Sequence, residues 1–101
     1  MASEIESFCP GYGSGLTVTP NVASASSTLA FDSTGVVLTN LSTTITAYVR
    51  IGTGAQTATT ADYPLLPGTQ VSLSKARGER TVAYIAPGGA GSLHIISGRG
   101  V

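Results

Sequence analysis

Apolar and polar residues alternate along this chain in short bursts with a period of two. Nowhere do apolar residues recur at three- and four-residue spacings free of Gly, Pro or dense Ser/Thr. That pattern predicts strands and no helix. The clearest burst is TTITAYVRIG, where Ile45, Ala47, Val49 and Ile51 share one face and Thr44, Thr46, Tyr48 and Arg50 the other. Shorter bursts fall at 15–19, 22–31, 35–41, 69–74, 79–86 and 91–97. Between them lie residues that reverse the chain, at Pro20-Asn21, Asp32 to Gly35, Pro67-Gly68, Ala76-Arg77-Gly78 and Pro87-Gly88-Gly89. Roughly seven or eight short strands at intervals of about ten residues leave no connection long enough for a crossover helix. The prediction is an all-β fold, a small antiparallel β-sandwich of jelly-roll or immunoglobulin-like type.

Residues 1–14 lack the alternation and read as an N-terminal arm to a sandwich domain spanning 15–101. Ile5, Phe8 and Tyr12 stand among small and acidic residues there. Apolar side chains on an arm need cover, from a neighbouring subunit or from the arm's own sandwich edge.

Composition narrows the function classes. In 101 residues only 10% are charged, the formal net charge is zero, and about a quarter are Ser or Thr. A nucleic-acid footprint needs clustered cations, and the SKARGER segment, interrupted by Glu79, is the only approach to one. No nucleic-acid partner is expected. Without an apolar run of about 18 residues no membrane span is expected either. MASEIESFCPGYG has neither a basic nor an apolar region of the signal-peptide kind, and Cys9 has no cysteine partner, which places synthesis in a reducing cytoplasm. A hydroxyl-rich surface with little charge is cheap to desolvate and suits a protein packed against others, including copies of itself.

Candidate chemistry is sparse. IGTG (51–54) resembles a phosphate-binding glycine motif, but AQTATTADYP cannot begin the helix whose N-terminus such a motif requires. The stretch from 52 to 66 therefore reads as a strand connection or contact surface. Within it Tyr63, Leu65 and Leu66 are candidate contacts, pre-ordered by Pro64 and Pro67, with the alternative that the two leucines plug the end of the sandwich. His94, in LHII, falls on the face opposite Leu93 and Ile95 and lacks a nucleophile-elbow sequence that would accompany a catalytic triad. No enzyme activity is expected. Cys9 and His94 are too few for a structural zinc, and Asp62 reads as a turn or cap acceptor rather than a calcium ligand, so no metal or cofactor is expected. Asn40-Leu41-Ser42 matches a glycosylation sequon. Tyr48, Tyr63 and Tyr84 could form a sugar-stacking platform, though Tyr48 and Tyr84 sit mid-strand, where cross-strand packing explains them equally.

The order of features carries a resemblance. TVTP, AYVRIGTG, TATTADYPLLPG, VSLS, VAYIA and GSLHIISGRG follow one another over roughly residues 15–101. In that succession the chain resembles small virion structural proteins of tailed bacteriophages, a likeness built from turn residues and alternation that does not reach residues 1–14. The resemblance implies a β-sandwich on the virion, with capsid decoration (cement) as the nearest function and the major capsid protein as partner. It implies no catalytic residues. The contacts expected in that role are Ile5, Phe8, Tyr12, Tyr63, Leu65 and Leu66, and the competing role is a receptor- or glycan-binding module of a head or tail fibre.

Overall fold

The strand pairings are nested one inside another. A computed structural model describes residues 9–29 and 34–99, with only the backbone described at 9, 10 and 99. Nine strands follow in order: β1 (Cys9–Pro10), β2 (Leu16–Val18), β3 (Ala25–Thr28), β4 (Gly35–Asn40), β5 (Ala47–Gly52), β6 (Tyr63–Leu65), β7 (Gln70–Ser74), β8 (Thr81–Ile85) and β9 (Leu93–Arg99). β5 and β6 make the innermost hairpin, β4 pairs with β7, β3 with β8, and both β1 and β2 with β9, all antiparallel. Rolling that ribbon closes β4 on β9 and β5 on β8. Sheet A then runs β1/β2-β9-β4-β7 and sheet B β3-β8-β5-β6. This is the jelly-roll order, which decides against the immunoglobulin-like alternative.

β1 and β2 are two pieces of one edge strand. Pro10 faces Gly98 and Leu16 faces Ile95, so residues 11–15 on the edge stand opposite only Ile96 and Ser97. The excess residues loop out through Gly13, whose φ of +86° favours glycine. Side chain and backbone then stand in for the interrupted ladder. The Ser14 hydroxyl accepts from Ser97 N–H at 3.1 Å and donates to its carbonyl at 3.2 Å, while Gly11 N–H donates to the same carbonyl at 2.6 Å. Cys9 and Pro10, which the sequence places in the arm, therefore pair with β9 as a short piece of the sandwich edge. Ile5 and Phe8 lie outside the described residues.

The core lies where alternation places it. Val36 and Leu38 of β4, Leu93 and Ile95 of β9, Val49 of β5, Val82 and Tyr84 of β8, and Leu65 of β6 pack between the sheets with Leu29. Ala47 and Val49 are buried and Ile51 packs against the core, as the pattern of β5 predicts. Ile45 does not join them. It precedes β5 in a connection, half-buried, where a Cβ on Gly88 or Gly91 would lie 3.6 or 3.5 Å from its side chain.

Candidate functional site

The pairing registers put every crossover between sheets A and B that leaves β2, β4, β6 or β8 at one end of the sandwich. At that end Leu93 faces both Val18 and Asn40, Thr39 faces Gln70, Ala47 faces Leu65, and Tyr84 faces Ala25. The crossovers are 19–24, 41–46, 66–69 and 86–92. They read TPNVAS, LSTTIT, LPGT and APGGAGS, without a single charged residue. The charged residues described, Arg50, Asp62, Lys75, Arg77, Glu79, Arg80 and Arg99, all belong to the opposite half, on the connections 53–62 and 75–80 or in strands running toward them. Charge is segregated along the long direction of the strands.

The uncharged end carries three exposed aliphatic side chains, one on each of three crossovers: Val22 (63% exposed), Leu41 (51%) and Leu66 (59%). Its backbone is tied together. Asn40 N–H donates to Thr69 O, Gly68 to Ser42 O, Leu41 to Ser92 O, Gly91 to Pro20 O and Ala86 to Asn21 O, at 2.8–2.9 Å. Beneath them the buried Asn40 amide donates to the carbonyls of Ile45 and Leu65, both at 2.9 Å, and accepts from Ser42 N–H at 3.0 Å. The three bonds explain why Asn occupies the end of a core strand, and burial keeps this sequon residue from a glycosyltransferase in the folded chain. A surface so laced presents its aliphatics in a fixed arrangement.

The other expected contacts divide. Leu66 is exposed as a contact must be, but Leu65 is 2% exposed within the core cluster and has no surface to offer a partner. The strand alternation of β6 separates two adjacent leucines that the sequence leaves equivalent. Tyr63, on edge strand β6, and Tyr12, in the excursion between β1 and β2, are both exposed. Val22 and Leu41 were not among the expected contacts. Their signal was available, since each is an aliphatic residue inside a turn segment that holds no charge.

The connection at 53–62 turns out to be a strap across sheet B. Ala58 N–H donates to Ser24 Oγ at 2.8 Å, and Arg50 reaches the Thr57 carbonyl at 3.5 Å and Asp62 at 4.0 Å. Asp62 caps the strap's return by accepting from Thr59 N–H at 2.7 Å, the acceptor role its position suggests. Ala83 is fully buried although its neighbours Val82 and Tyr84 point into the core, as expected for an outward residue under such a cover. IGTG thus opens a structural strap. Gly52 lies so close beneath Gln56 that a Cβ there would meet its amide at 2.6 Å.

His94 points to the outside of sheet A and pairs with Thr17 Oγ1 at 3.2 Å across the β2–β9 ladder. No described carboxylate orients its ring. Tyr84 leaves the sugar platform, since it is a core residue whose hydroxyl meets Ser27 Oγ at 2.7 Å. Tyr48 remains, half-buried on the outer face of sheet B, in a recess of about 330 Å³ with Thr44, Ile45, Thr46, Thr60, Pro87 and Gly88. No protein-family model matches the chain, and no curated protein matches it.

Proposed function

We propose that the chain is a structural protein of a bacteriophage virion, a capsid decoration protein that seats its uncharged loop end across major capsid protein subunits and stabilises the head. The observation that carries the reading is the end itself: four crossovers without charge, tied by backbone hydrogen bonds and bearing Val22, Leu41 and Leu66. Docking such a surface strips water from no ion and so avoids the largest desolvation cost in association. Its hydrogen bonds fix the loops beforehand, which lowers the ordering cost of binding. A grouping of exposed aliphatic residues has a purpose at an interface that it lacks in a free monomer. The charged half, turned to solvent, supplies the solubility that the loop end withholds.

The mechanism needs no catalytic group. A protein that binds only the assembled shell stabilises it by mass action, and many modest sites add up over a shell. Tyr12 and Tyr63, exposed beside the edges of the two sheets, would then serve contacts between neighbouring copies. Because one fold hosts many functions, the jelly roll lends the proposal less weight than the loop end does. Titration of the purified chain onto bare phage shells tests the reading. Saturable binding should raise the shell's melting temperature, and a Leu41→Ser, Leu66→Ser double variant with unchanged melting of its own should lose that effect. Equal binding by the variant would contradict the proposal.

A further inference from the structure

We infer that the recess beside Tyr48 is a binding site for a neutral pyranose residue of a surface polysaccharide. Its walls come from three places that the fold brings together: Thr44, Ile45 and Thr46 from the β4–β5 crossover, Pro87 and Gly88 from the β8–β9 turn, and Thr60 from the strap. Tyr48 joins them from the outer face of β5, between its partners Pro64 and Ile85 on the flanking strands. The volume of about 330 Å³ lies at the low end of small-molecule sites, roughly 300–1,000 Å³, and suits a single sugar ring.

The lining selects the ligand class. It contains no charged side chain, so nothing in it would repay the desolvation of a charged ligand. Tyr48, Ile45 and Pro87 offer apolar surface to the C–H face of a pyranose. The hydroxyls of Thr44, Thr46, Thr60 and Tyr48 make no hydrogen bond with any described residue, which leaves four donor-acceptor groups for the sugar's own hydroxyls. An aromatic or aliphatic ligand would strand those groups, whereas a neutral sugar satisfies both halves of the surface. Packing of Ile45 against the Gly88 and Gly91 backbone, and the strap's bond from Ala58 to Ser24, hold the walls in place without ligand. Thr44, Ile45, Thr46, Pro87 and Gly88 belong to crossovers of the loop end, so a shell seated there would compete with the sugar. The free chain needs no shell to bind it, and sugar binding would survive failure of the shell-binding proposal.

The test is NMR titration of the folded chain with a panel of neutral disaccharides of glucose, galactose, mannose and N-acetylglucosamine, with glucuronic and sialic acids as charged comparators. At least one neutral member should give saturable shifts confined to residues 44–48, 60 and 87–88. Tyr48→Ala should weaken that binding about tenfold or more, the factor that about 1.4 kcal/mol of stacking represents. Tyr48→Phe should weaken it less, and Tyr63→Ala, outside the recess, should leave it unchanged. Should Tyr48→Ala fail to fold, Thr60→Val on the exposed strap serves in its place. No saturable shifts with any neutral member, shifts elsewhere, binding of the charged sugars alone, or insensitivity to Tyr48 and Thr60 would overturn the inference.

Discussion

The side-chain amide of Asn40 donates to the main-chain carbonyl of Leu65 at 2.9 Å, joining the last residue of β4 in sheet A to the last residue of β6 in sheet B. Sandwich sheets are otherwise held by non-directional apolar packing. This bond and its companion to Ile45 fix where two crossovers leave the sheets, and with them the positions of Leu41 and Leu66.

Replacing Asn40 should therefore loosen the loop end and the whole fold. Asn40→Ala strands two carbonyls and the Ser42 N–H in a buried site, a loss of about 2–4 kcal/mol. Asn40→Asp should be worse, because it sets a carboxylate against the same two carbonyls. Chemical denaturation of the two variants checks both the size and the order.

The neighbouring leucines should behave as opposites. Leu65→Ser removes a core side chain and should cost about 2–5 kcal/mol in denaturant melts. Leu66→Ser should melt like the parent and bind shells more weakly. Similar melting of the two variants would contradict the assignment of one to the core and the other to the surface.

Much of the fold was legible in the sequence, and the parts that were not share a cause. Alternation located β5, β7, β8 and β9 because each has one face in the core and one outside. It missed β6, where Tyr63-Pro64-Leu65 is too short to show a period and carries a proline that only an edge strand tolerates. It also missed β1, whose pairing depends on β9 at the far end of the chain. The role of Asn40 was hidden for a similar reason, since its partner Leu65 is remote in sequence and close only once the ribbon has rolled up. The uncharged end was written in the four turn segments. Its meaning needed the strand registers that gather them.

Deleting residues 1–14 should destabilise the sandwich. The deletion removes Ser14 and Gly11 from Ser97, and with β1 it leaves one stretch of the β9 edge unpaired. A lower melting temperature and faster amide exchange at Ser97 are the expected outcomes. Ser14→Ala alone should reproduce part of the loss, about 1–3 kcal/mol for buried backbone groups left without the hydroxyl. Parent-like stability of the deletion would mean that these bonds contribute nothing.

The central claim, that the uncharged loop end seats this chain on a phage shell, is tested most directly by cryo-electron microscopy of phage particles incubated with the purified chain. The account predicts density for the jelly roll repeated over the whole head, with Val22, Leu41 and Leu66 facing the capsid protein and the connection 75–80, bearing Arg77, Glu79 and Arg80, facing solvent. Absence from the head, confinement to the tail or a single vertex, or attachment through the charged half would contradict it.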